Sequence, residues 1–242
     1  MYFQKLGNEI AKTDQAGITT YYKYDVLDRL IAVEDTLGHR TEYQYDEADN
    51  LVYQKDANDN ITRFEFDGLG RQIATVRPLG QKSSTLYDKV GNVISTTDFN
   101  GEIILYEYNE LNLVTAKRFE DSTSVEFDYD DAGRLEAVTD ERGTTSFTYN
   151  KLGNLLSRTE ADGKTISYTY NDAGQIENII TPSETISYTY DAFNHLDKLI
   201  ANGEVTDYDY DTVGNLVQTT LPNNVVETRS YDDLNRLTGV VN

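Results

Sequence analysis

A Tyr-Asp pair returns along this chain of 242 residues every 20 or 21 positions, and that period leaves few folds open. The pairs are Tyr24-Asp25, Tyr45-Asp46, Tyr87-Asp88, Tyr129-Asp130, Tyr190-Asp191, Tyr210-Asp211 and Tyr231-Asp232. Phe66-Asp67, Tyr108-Asn109, Tyr149-Asn150 and Tyr170-Asn171 fill the gaps in register, and Phe3-Gln4 stands one period before Tyr24. Twelve copies with no unrelated sequence between them specify a repeat architecture. A repeat unit of this kind is stable only against its neighbours. The expectation is therefore one array of about twelve repeats over residues 1–242, without a linker. Position in the repeat explains most residues, so a function-bearing residue has to break the pattern.

Within a copy, the residue two before the Tyr is mostly aromatic, as at Tyr22, Tyr43, Phe64, Phe127, Tyr168 and Tyr208, and its neighbours are mostly polar. Alternation at period two predicts a half-buried strand, built of residues that suit a pleated surface. Four residues after each Tyr stands Gly, Asp or Asn: Gly7, Asp28, Asp49, Gly70, Gly91, Asn112, Gly133, Gly153, Gly174, Asn194, Gly214 and Asn235. These residue types tolerate positive φ, and the Asp of the pair can accept backbone N–H groups of the turn. A short hairpin connection ending in a left-handed residue is predicted. A second strand follows, opening at Arg29-Leu30, Asn92-Val93 or Arg134-Leu135. It closes at a four-residue turn such as Asp14-Gln15-Ala16-Gly17 or Asp98-Phe99-Asn100-Gly101, with type I preferences. Pro78, Pro182 and Pro222 all fall at the second place of this turn, where a fixed φ fits.

The unit is thus strand, turn, strand, turn. The predicted fold is all-β: tandem β-hairpins forming a curved or spiralling antiparallel ribbon, β-solenoid-like, that coils on itself. Sheets twist, and long ones curl. The repeat tyrosines are expected side by side, as with Tyr149 and Tyr170. An open ribbon leaves strand edges, near Phe3 and Tyr231, and such edges invite pairing with another chain. Edge-to-edge self-association is expected once salt screens a formal charge of −21.

That charge argues against nucleic acid as a partner, because a phosphate backbone needs Lys and Arg to displace its counterions. No apolar run approaches the roughly 20 residues of a membrane span, so membrane insertion is not expected. No secretory leader is visible, and the absence of Cys rules out disulfides. Aromatic character comes from 19 Tyr and 8 Phe, rings that suit a surface only half dry.

The segments Phe127-Asp128-Tyr129-Asp130-Asp131-Ala132-Gly133-Arg134-Leu135 and Tyr208-Asp209-Tyr210-Asp211-Thr212-Val213-Gly214-Asn215-Leu216 resemble the YD repeats of the Rhs family. The resemblance covers essentially the whole chain. It implies a β-ribbon that spirals into a hollow shell, as in bacterial polymorphic toxins, insecticidal toxin complexes and teneurins. In the toxins the shell encloses a C-terminal toxic domain. By this resemblance the partners are further YD repeats and a C-terminal cargo domain of the same polypeptide. The setting is secreted or at the cell surface. Two departures matter: no Asp-Pro dipeptide of the kind that ends the toxin shells is present, and the repeats run to Asn242. The chain therefore reads as a segment of a longer shell, or a short member, with no toxin or shell-cutting protease of its own.

Few residues that break the pattern offer other chemistry. Carboxylates cluster at Asp128, Asp130 and Asp131 and at Asp207, Asp209 and Asp211, but a glycosidase needs two in an enclosed setting. Asp56-Ala57-Asn58-Asp59-Asn60 opens like a calcium loop, yet Ile61 stands where Gly is required and Asp67 where a bidentate Glu is. His39 and His195 lie at turn edges, and no nucleophile elbow or phosphate loop occurs. The chain is read as non-enzymatic, with no catalytic, cofactor or metal site. The residues singled out are the repeat-defining Tyr, Asp and Gly named above. The aromatic rows leave an alternative: a cell-surface adhesion or carbohydrate-binding module with glycans as partners.

Overall fold

The computed structural model describes residues 2–3 and 8–242. Among the described residues the regular structure is 24 β-strands, paired antiparallel with their neighbours in sequence from Glu9–Thr13 to Val114–Phe119 and again from Ser124–Tyr129 to Leu237–Val241. By its internal contacts the chain divides into two compact units, Met1–Ser124 and Val125–Asn242. In the first, Thr19–Tyr24 pairs with Leu30–Asp35, which pairs with Arg40–Tyr45, and the meander continues to Val114–Phe119. In the second, the same meander runs from Leu135–Asp140 through Thr165–Tyr170 to Leu237–Val241. No helix among the described residues is long and apolar enough to cross a membrane.

Period-two patterning sets the faces. In Thr19–Tyr24, Thr20, Tyr22 and Tyr24 are half-buried while Tyr21 and Lys23 are exposed. Register carries each face across strands: Tyr22 opposes Val33, which opposes Thr41, and Lys23 opposes Ala32, which opposes Glu42. Neither face forms a deep core. Among the described residues the buried side chains are Ala11, Ala32, Ala74 and Ala116, with Thr219. Those alanines all stand eight residues after the repeat aromatic. Ala32 is only 1% exposed, because Lys23 and Glu42 stand on either side of it and long stems can cover a methyl group.

Both turns of the repeat use one device. After Tyr24, the Asp28 N–H donates to the Asp25 carbonyl at 3.1 Å, and the Asp25 N–H donates to the Arg29 carbonyl at 3.0 Å. This is a type I turn closed by a left-handed residue. All eleven described copies place positive φ where expected, from 59° at Asn235 to 103° at Gly91. Gly7 and Gln4 lie outside the described residues. The second turn repeats the pattern, with Gly17 donating to Asp14 at 3.2 Å.

Three second turns depart from the four-residue form. Asp140 pairs directly with Gly143, and Ala201 with Glu204. Asn202 and Gly203 between the latter both have positive φ, 52° and 80°, the signature of a two-residue primed hairpin turn. Pro78 and Pro222 hold the second place of four-residue turns as read. Pro182 sits in a tighter one, in which the Thr181 N–H donates to Glu184 rather than one residue further.

Candidate functional site: the contacts between consecutive repeats

The recurring residues converge on one set of contacts. Each begins with the Asp after the Tyr. Oδ1 of Asp25 accepts the N–H groups of Leu27 (2.9 Å) and Arg29 (3.0 Å). Oδ1 of Asp46, Asp88, Asp130, Asp191, Asp211 and Asp232 does the same in its own turn. The second carboxylate oxygen takes the side chain of the residue that opens the next strand. It is Arg29 at 2.7 Å on Asp25, Asn50 at 2.9 Å on Asp46, Arg134 at 2.7 Å on Asp130 and Arg236 at 2.7 Å on Asp232. This explains the residue types found after the left-handed position: all but Leu113 carry a side-chain N–H donor. The Arg134 side chain, with the N–H groups of Arg134 and Ala132, holds the Asp130 carboxyl below its ordinary value. Asn215 and Asn50 do so for Asp211 and Asp46.

The same side chain then reaches the next repeat. Arg29 donates to the Asp46 carbonyl at 3.1 Å and to Asp49 at 2.6 Å, and Arg134 donates to the Asn150 carbonyl at 2.9 Å. Asn92 reaches Asn112, and Asn215 reaches Asn235. The guanidinium also lies over the next Tyr ring: Arg29 over Tyr45 at 4.9 Å, Arg71 over Tyr87 at 4.3 Å, Arg134 over Tyr149 at 4.9 Å. What meets the ring of Tyr149 is therefore Arg134, and no ring pair forms between Tyr149 and Tyr170 among the described residues.

The Tyr hydroxyl makes the third link. Every YD hairpin carries a β-bulge beside its Tyr. Lys23 opposes Ala32 while Tyr24 opposes Leu30, which leaves Ile31 as the extra residue. The carbonyl of the residue facing the Tyr is left for the following repeat, and the next Tyr takes it. Tyr45 donates to Leu30 at 2.8 Å, Tyr170 to Leu155 at 2.8 Å, Tyr190 to Ile176 at 2.8 Å and Tyr231 to Leu216 at 3.0 Å. Tyr24, Tyr87, Tyr108 and Tyr149 repeat the bond. Burial raises the Tyr129, Tyr170 and Tyr190 hydroxyls above their ordinary value, so they remain donors at neutral pH. Sequence reasoning saw the Tyr as a ring and missed this bond. The signal was the preference for Tyr over Phe at a slot whose ring alone needs no hydroxyl.

Residues that break the pattern fall into the same scheme. His195 takes the Arg place: Nδ1 lies 3.0 Å from Asp191, and the ring stacks on Tyr210 at 4.6 Å. His39 holds the corresponding place at the other turn, 2.8 Å from Asp35. In the calcium-like segment Asp56 accepts the N–H groups of Asn58 and Asn60 and the Asn60 amide. Asp207 pairs with Lys198 at 2.7 Å, and Asp209 accepts from Gln218 at 3.1 Å. No group of three or more His, Asp or Glu among the described residues is arranged to hold a metal ion. Gly133, Gly153 and Gly214 serve as the left-handed turn residues.

Comparison with known proteins agrees with this scheme. The family model described as Teneurin YD-shell matches residues 80–186, and the RHS Repeat model matches residues 24–54 and 210–242. Among solved structures, the crystal structure of TcdB2-TccC3-TEV superposes with a TM-score of 0.65 at 16% identity, covering 97% of this chain and 15% of that one. A Photorhabdus luminescens Tc holotoxin pore gives the same TM-score, identity and coverage. Likeness at such identity shows the fold, and the chain spans 15% of the length of those chains. No curated protein sequence matches it. The shell and repeat matches, together with contacts that link one copy to the next within each unit, show that the chain is a YD-repeat protein of the Rhs family.

Proposed function

We propose that this chain is wall material: a single array of YD repeats, part of a shell that encloses or presents a C-terminal toxin or effector cargo, and non-catalytic in itself. The observation that carries the reading is the near absence of a core. No large side chain is fully buried on either face, and only four alanines and one threonine are buried among the described residues. Cohesion comes from links between neighbouring repeats. A sheet held that way extends as a thin wall without needing a second layer. The family matches support a shell role, and the much greater length of the structural relatives supports a segment of something larger. A secreted or cell-surface setting follows for the full polypeptide.

Limited proteolysis of the native polypeptide carrying this segment tests the reading. Sequence downstream of residue 242 should resist protease until the repeats are unfolded. Free digestion of that sequence under native conditions would contradict enclosure. The adhesion or carbohydrate-binding alternative would need free ring faces, but Arg29, Arg71 and Arg134 already lie over Tyr45, Tyr87 and Tyr149. A glycan array probed with the purified chain separates the two readings.

A further inference from the structure

The two edges of the ribbon are built from the same turn and differ in one slot. At the third place of the Tyr-Asp turn, counting from its Asp, all eleven described copies are apolar: Leu or Val in seven, Phe193 in one and Ala in three. The large ones stand in solvent; Leu152 is 84% and Phe193 80% exposed. The turn makes no use of these side chains. What it needs from the slot is a backbone N–H, which Leu152 donates to Asn150 at 2.9 Å and Phe193 to Asp191 at 2.8 Å. The opposite edge supplies the control. Asn58 and Asn100 hold the equivalent slot, and their N–H groups donate to Asp56 and Asp98 at 2.8 Å each. That slot also carries Asp121 and Asp162, with Leu37 and Leu79 as its large apolar members. The same geometry thus accepts polar residues on one edge and carries apolar ones on the other, so turn stability does not account for the difference.

We propose that the Tyr-Asp edge is an interaction surface whose partner is the same edge of a second copy of this chain. This goes beyond the wall reading and does not depend on a cargo. Tips recur every second strand, about 9.6 Å apart at roughly 4.8 Å per strand. A row with that spacing leaves gaps that another row of the same spacing fills. Both edges have it, but only the Tyr-Asp edge is apolar at every described tip, so the matching apolar row is the same edge of a second copy. The size of the contact is modest. In the second unit Leu152, Phe193, Val213 and Leu234 each offer on the order of 100 Å² of apolar surface. Two such edges bury somewhat under 1,000 Å² in total, the range of weak, transient contacts. Like charge opposes the approach, at −21 per copy, so association strengthens as salt screens it.

Sedimentation velocity of the whole chain at several hundred micromolar, in low and high salt, reads the association. The wild type should shift from monomer toward dimer as salt rises. Replacing Leu152, Phe193, Val213 and Leu234 by Asn should weaken dimerisation at least tenfold. Replacing Leu37 and Leu79 by Asn on the other edge, or Val240 and Val241 by Thr in the last strand, should leave it unchanged. Circular dichroism confirms that each variant is folded. The chain contains no Cys, so a single Phe193→Cys variant gives an independent reading: oxidation should link two copies, whereas Asn100→Cys should not. A wild type that stays monomeric at all concentrations and salts overturns the proposal. So does an Asn variant that associates like the wild type, or equal cross-linking through residues 193 and 100.

Discussion

Removing one hydroxyl should loosen one junction. In Tyr170→Phe the ring stays, so apolar burial is kept, and only the bond to the Leu155 carbonyl at 2.8 Å is lost. A net hydrogen bond contributes about 1 kcal/mol. The site is part-buried, so water can reach the freed carbonyl and the larger cost of a sealed, unpaired acceptor does not apply. The expected loss is therefore ~1 kcal/mol, or roughly a fivefold rise in local opening. The chain also contains the reverse experiment. Phe66 occupies the slot without a hydroxyl, 15 residues after Leu51, the spacing of the Tyr45–Leu30 bond. Phe66→Tyr should stabilise its junction by a similar amount. Arrays need not melt in one step, so the assay is hydrogen exchange by mass spectrometry across Leu155–Thr159 and Thr165–Tyr170, supported by urea midpoints. Unchanged exchange in Tyr170→Phe, or a less stable Phe66→Tyr, would refute the claim that the hydroxyl joins the repeats.

Gly153→Val should cost about 1–2 kcal/mol, the penalty for a left-handed L-residue. A Cβ there meets nothing within 4 Å, so the cost is conformational alone, and a urea midpoint equal to that of an exposed control such as Lys151→Gln would count against it. Ala32→Leu should destabilise by roughly 1–3 kcal/mol through overpacking, read from the same midpoints; a neutral result would mean that the long chains beside it simply move aside. The Asp130 carboxyl is held below its ordinary value of 3.8 in the folded chain. The unfolded state therefore takes up its proton first, and the clamp's contribution is complete above that value and lost as pH falls through the folded pKa. Stability measured from pH 6 to pH 2.5 should fall less steeply for Asp130→Asn than for the wild type, and identical slopes would show that the clamp does not couple to folding.

Much of the fold was legible because local chemistry and repeat position agree. Asp28, Asn112 and Gly153 share one backbone requirement that the sequence states openly, since few residue types tolerate positive φ. What remained hidden depended on partners distant in sequence. The bulge at Tyr24 is visible only in the pairing register, and it frees the carbonyl that makes the hydroxyl of the next Tyr matter. Arg29 reads as a strand opener, but its reach to Asp49 and over Tyr45 depends on strand spacing. The same limit applies to Thr169, which reads as an exposed polar position. It is half-buried, and its Oγ1 accepts the Asn178 amide at 2.8 Å across the strands. Asn202-Gly203 carried its turn type in plain sight, but the expectation of a uniform four-residue turn masked it.

The wall reading is tested most directly by electron cryo-microscopy of the full natural polypeptide that carries this segment. It predicts residues 1–242 as a continuous stretch of wall, with one face toward an enclosed volume and density for another part of the chain inside it. A ribbon with both faces open to solvent, or repeats folded around no interior at all, would contradict it.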